Sequence, residues 1–170
     1  MAGLVDDLIE VLKQEEKIYR IFEEYGEQKR QILIKADVPA LEKLTSEEQT
    51  TNDELLAASN RQTHILEDIA TVLGKTKEQM TVTRLIELMS TQPEVQKRLI
   101  EARDELLATA GRGTEKNRQN ELLIQQAIEM AEFDITLIKS MRQAPETANY
   151  NKDAYNTGAL LGSSGFDAKQ

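Results

Sequence analysis

Residues 35–44 read KADVPALEKL, and the fold turns on how this stretch ends one helix and starts another. Asp37 suits a helix N-cap, because its carboxylate accepts from N–H groups that the first turn leaves without partners. Pro39 then falls in the first turn, where its missing N–H costs little. Upstream, a 4-3 spacing runs through Leu4, Leu8, Val11, Glu15, Ile18, Phe22, Tyr25, Lys29 and Ile32. This is a mostly apolar, one-sided stripe, widened by Leu12, Ile21 and Leu33. It predicts a first helix from Leu4 to Lys35, with Gly26 weakening its middle by about 1 kcal/mol relative to alanine. Downstream, Leu41 and Leu44 and then Leu55, Ala58, Ile65, Ile69 and Val72 predict a second helix from Val38 to Leu73. Its middle, TSEEQTTNDE (residues 45–54), is polar, and Gly74 suits the left-handed position just past its end. So short a link makes the two helices antiparallel neighbours.

Beyond the hairpin, KTKEQMTVTRLIELMSTQPE (residues 75–94) predicts a loop and a short helix carrying Leu85, Ile86, Leu88 and Met89. Pro93 opens a further helix, capped by Thr91 or Gln92, with Val95, Leu99, Ala102, Leu106 and Leu107 as its apolar positions. It meets AGRGTEKNRQN (residues 110–120), where two glycines together cost about 2 kcal/mol in a helix interior. A kink or a break is expected at Gly111 to Gly113.

The final helical stretch, Asn117 to about Gln143, is the most apolar in the chain. Leu123, Ala127, Met130, Leu137 and Met141 form one seam, interrupted by Asp134. Ile124, Ile128, Ala131, Ile135 and Ile138 form a second, rotated by about 100°. Leu122 and Phe133 flank the first. So wide a face fits either a helix buried among several others or a groove wall that receives a foreign amphipathic helix. Past Ala144 and Pro145 the helical pattern ends. The sequence thus predicts an all-α chain of three long helices and a short middle one. It divides into a helical bundle domain (residues 1–143) and a flexible C-terminal tail (residues 144–170).

Composition narrows the function. Of 170 residues, 30 % are charged and only 4 % aromatic, with no tryptophan. That balance favours helices over an aromatic-rich sandwich. A net charge of -9 leaves no basic footprint for nucleic acid or for anionic lipid. No apolar run is long enough to span a bilayer. The opening MAGLVDDLIEVLKQEEK carries Asp6 and Asp7 where a secretory signal would be basic, so a cytoplasmic location is expected. The chain has no cysteine, and His64 is its single histidine, too few donors for a zinc site. The carboxylates fall in EE, DD and SEEQ groups that read as solvated helix faces. No Glu-x-x-His pair suggests a di-metal bundle, and AGRGTEK lacks the spacing of a phosphate loop. Neither an enzyme nor a cofactor is expected. In KNRQN (residues 116–120), Asn117 caps a helix after the glycines, or buried asparagines fix the register of a helical interface.

Several of these segments together resemble the FlgN family of flagellar type III export chaperones. LIEVLKQEEKIYRIFEEYGEQKRQILIKADVPALEKLTSEEQ (residues 8–49) is similar to that family's first hairpin. Its two helices meet at Ala36-Asp37, followed by Ala40-Leu41 and Leu44-Thr45. Leu73-Gly74 before a short helix fits as well. So do Asn117, Arg118 and Asn120 ahead of Leu122 and Leu123, and a tail with a tyrosine, glycines and a closing FDAKQ. The resemblance spans nearly the whole chain and departs from the family in the two glycines of AGRG. It implies a cytoplasmic chaperone without enzymatic activity or cofactor, whose partners are the C-terminal regions of the hook–filament junction proteins FlgK and FlgL. The implied cargo face is Leu122, Leu123, Ile124, Ile128, Phe133, Ile135, Leu137, Ile138 and Met141. The resemblance further implies docking at the export gate FlhA through a tail tyrosine, Tyr155 by its match to the pattern and Tyr150 in reserve. Two other readings of the residues stay open: self-association through the same face, and export of a different flagellar cargo.

Overall fold

The computed structural model describes residues 2–76 and 80–143. It is all-α. Helix α1 spans Ala2–Lys35, α2 Val38–Val72, the short α3 Val82–Leu88 and α4 Pro93–Gln143, with a 3-10 turn at Met89–Thr91. The chain divides into two units, Met1–Ala127 and Ile128–Gln170.

The link between α1 and α2 closes as its residue types require. The Ala36 N–H donates to the Leu33 carbonyl (3.1 Å) and the Asp37 N–H to the Ile32 carbonyl (3.2 Å). This is the paired C-cap that needs a left-handed residue, and Ala36 takes that conformation at φ 53°. The Asp37 carboxylate then accepts from the Ala40 N–H at 3.1 Å, capping α2. The other end of α2 uses the same motif with the residue better suited to it. Gly74 sits at φ 61°, its N–H donating to Thr71 and that of Lys75 to Ala70. At α3, Thr81 is the cap, accepting from the Arg84 N–H at 3.1 Å.

α1 and α2 pack antiparallel along the predicted stripe. The ion pair Lys29–Glu48 (2.6 Å) lies near the link, and Tyr25 meets Thr51 at 3.4 Å. α4 runs parallel to α1 through the first unit, since Asp6 pairs with Arg98, Glu23 with Arg112 and Glu27 with Lys116. The apolar core lies at one end. There Leu8, Val11 and Leu12 of α1 meet Ile65 and Ile69 of α2, Leu85 and Ile86 of α3, Met89 of the 3-10 turn, and Leu99 and Ala102 of α4. Burying such side chains stabilises by about 1.5–3 kcal/mol each. Toward the link the interior turns polar, with Thr51 and Asn120 buried.

Two expectations need correction here. α4 is unbroken from Pro93 to Gln143, so Gly111 and Gly113 make no break. Nor is the Glu15-Glu16 pair a solvated face: both residues are buried. The Glu16 carboxylate accepts from the buried Thr109 hydroxyl of α4 at 2.9 Å and from Arg20 on its own helix. Burial pushes the Glu15 carboxyl above its ordinary value of 4.5.

Candidate functional site

The candidate surface is carried by α4, so what holds that helix comes first. Of the glycines along α4 and α1, only one marks a tight approach of the two helices. A Cβ on Gly113 would lie 4.0 Å from the Tyr19 carbonyl, an ordinary contact, whereas Gly111 faces open space. On α1, a Cβ on Gly26 would meet the Lys116 Cβ at 3.0 Å. Gly26 therefore marks a close approach of α1 to α4 that a side chain would obstruct. Beside it, the buried Asn120 amide donates to the Gly26 carbonyl at 2.8 Å, a helix carbonyl otherwise shielded from water.

That geometry decides between the two readings of KNRQN. Asn117 lies inside α4, far from its start, and caps nothing. Asn120 is the buried interfacial asparagine, 3 % exposed. Its neighbours work outward. Lys116 pairs with Glu27 at 3.7 Å. Arg118 holds Glu115 through two hydrogen bonds, of 3.0 and 2.8 Å, and Gln119 adds a third. The Arg118 guanidinium, then Gln119, pushes the Glu115 carboxyl down to about 2. The sequence carried two signals of this contact: a glycine in the middle of a long helix and an asparagine at the end of a polar run.

Of the predicted face, Leu122, Leu123 and Ile124 belong to the first unit, where Leu123 is half-buried and Leu122 and Ile124 are exposed. Ile128, Phe133, Ile135, Leu137, Ile138 and Met141 belong to the second, whose described part is the last stretch of α4. All six are exposed, Ile128 at 50 %, Phe133 at 67 % and Met141 at 71 %. Met130 is exposed among them. These side chains are therefore not buried in a four-helix core, one of the two arrangements that fitted the sequence. Exposed large apolar side chains in such number on one stretch of helix are what the groove-wall alternative requires.

Tyr150 and Tyr155 lie outside the described residues, as does the whole stretch from residue 144. His64 is exposed on α2. Among the described residues no cluster of metal-ligating side chains occurs, and no helix is long and apolar enough to cross a membrane. A cleft of about 570 Å³ in the first unit is lined by amides, Gln49, Asn52, Asn117 and Asn120 among them. Its Lys29 and Glu48 are paired with each other.

Comparison with known families finds a match to the family described as FlgN protein, over residues 1–158. No curated protein and no solved structure matches the chain.

Proposed function

This chain belongs to the FlgN family of flagellar export chaperones, and on that premise we propose that it binds the C-terminal amphipathic helices of the junction proteins FlgK and FlgL. It keeps them from assembling early in the cytoplasm and delivers them to the export gate FlhA. The cargo face is Leu122, Leu123, Ile124, Ile128, Phe133, Ile135, Leu137, Ile138 and Met141. Gate docking falls to Tyr155, with Tyr150 in reserve. The observation that carries the reading is the run of exposed large apolar side chains on the last stretch of α4; in the first unit most such side chains are enclosed, and those left exposed, such as Ile34, Leu56 and Leu107, are scattered. Subunits that polymerise through amphipathic helices expose apolar seams before assembly, and a helix with a matching face shields them by the same burial.

Isothermal titration with the C-terminal fragments of FlgK and FlgL from the same organism tests this. One-to-one binding is expected, abolished by Ile128→Asp together with Ile135→Asp and retained by Tyr155→Ala. The double variant should keep its helical circular dichroism, because both side chains are exposed. A folded wild-type chain that binds neither fragment would falsify the cargo assignment. Mass that rises with concentration would favour self-association through this face.

A further inference from the structure

The last stretch of α4 is apolar around more of its circumference than one partner helix covers. At about 100° per residue, its apolar positions run from Phe133 through Leu137, Met130, Met141, Ile138, Ala131 and Ile135 to Ile128, an arc of about 220°. The stripe that a helix buries against one neighbour is nearer 100° wide. Within the arc lie two heptad seams offset by one residue. Ile128, Ala131, Ile135 and Ile138 make one, and Met130, Leu137 and Met141 the other. A helix with two adjacent seams packs against two helices at once, each seam taking one row of knobs.

The seams are not alike. The first is built of isoleucine, ends at Arg142 and is flanked by Glu132 and Lys139. The second is built of leucine and methionine and holds Asp134 in line with its apolar residues. A carboxylate at such a position demands a cation or donor opposite and selects against a partner that brings only hydrocarbon. Two copies of one helix would satisfy one seam and leave the other mismatched. A second copy docking through its own α4 would cover one seam and leave the other exposed.

From these features we propose that the cargo occupies α4 with two different amphipathic helices of one chain, lying side by side. The helix on the leucine–methionine seam carries a Lys or Arg level with Asp134. The helix on the isoleucine seam carries a carboxylate near Lys139 and Arg142. The inference rests on the chaperone reading and adds to it the form of the bound partner.

Because the natural chain has no cysteine, single cysteines report each face separately. Ile135→Cys probes the isoleucine seam, Leu137→Cys the leucine–methionine seam and Thr136→Cys the polar stripe between their outer edges. Maleimide labelling is followed in the full chain alone and with saturating full-length FlgK or FlgL, while light scattering records the mass of the complex. A one-to-one complex should slow labelling at both 135 and 137 by roughly tenfold or more, as expected where a packed interface excludes water. Labelling at 136 should stay near its free rate. Adding Asp134→Lys should restore fast labelling at 137 and leave 135 protected. A complex that protects only one seam overturns the two-helix inference and leaves the chaperone reading standing. Free rates at every position with no complex by mass overturn both. Slow labelling of either seam in the chain alone also overturns the inference. If independent of concentration it places the chain's own tail on the face, and if concentration-dependent a second copy.

Discussion

The first unit and the last stretch of α4 draw on the same side chains and put them to opposite use. In the first unit, Leu8, Val11, Ile69, Leu85 and Leu99 are fully or almost fully withdrawn from water. Even polar groups there are enclosed: Glu15, Glu16, Thr51, Thr109 and Asn120. From Ile128 to Met141, isoleucine, leucine, methionine and phenylalanine all stand exposed. Apolar content therefore does not separate a core from a binding face. What separates them is enclosure: among the described residues, the same side-chain types are buried in one unit and exposed in the other. Stability is expected to reside in the first unit, and the capacity to bind in the second.

The widest separation between the two should come from removing one apolar side chain from each. Leu8→Ala empties a fully enclosed site in the core and is expected to cost about 3 kcal/mol. Ile135→Ala removes a half-exposed side chain and should move stability by no more than about 0.5 kcal/mol. Urea unfolding at matched concentrations measures both. The comparison fails if the two variants lose stability alike, since that would mean that the last stretch of α4 is held by contacts of its own.

The interface between α1 and α4 offers a second, smaller contrast. Gly26→Val places a branched side chain where even a Cβ would lie 3.0 Å from the Lys116 Cβ. It also threatens the Asn120 bond to the Gly26 carbonyl. Overpacking of this kind costs about 2 kcal/mol, against the gain in helix propensity that valine brings over glycine. Gly111→Val, inside α4 but facing open space, should not destabilise. Thermal unfolding of the pair, followed by circular dichroism, separates a packing glycine from an incidental one.

This pair also shows what the sequence disclosed. The hairpin was legible because its determinants are local. Asp37 caps through its own side chain, Pro39 suits a first turn, and Gly74 takes a positive φ that most residues avoid. The 4-3 stripe of α1 was legible for the same reason, down to Lys29, whose place in it is explained by Glu48 across the seam. Continuity through Gly111 and Gly113 was not legible. The local cost of two glycines argued for a kink or a break, and the contacts that hold α4 to α1 on either side of them, Thr109 with Glu16 and Asn120 with Gly26, come from residues far away in sequence. The exposure of Ile128 to Met141 was also undetermined, because a helix buried on all sides and one awaiting partners have the same pattern. The nine residues expected to bind cargo lie on one helix, while the two tyrosines expected to dock at the gate fall outside the described residues.

The smallest effect concerns a charge that only the first unit encloses. Glu15 sits in the seam of α1, and burial raises its carboxyl above the ordinary 4.5. The folded state therefore holds its proton more tightly than the unfolded chain does. The stability this contributes is complete below 4.5 and is lost as the pH rises through the higher folded value. At neutral pH the charged form is the less favourable one in the fold, so Glu15→Gln should raise the urea midpoint there. The gain should vanish in acid, where the wild-type side chain is itself neutral. Glu132, exposed on the last stretch of α4, gives the control for the substitution itself: Glu132→Gln should leave the midpoint at neutral pH unchanged. If Glu15→Gln behaves like Glu132→Gln, the Glu15 carboxylate is hydrated in the fold, and the polar half of the α1–α2 seam is open to water rather than part of the enclosed interior.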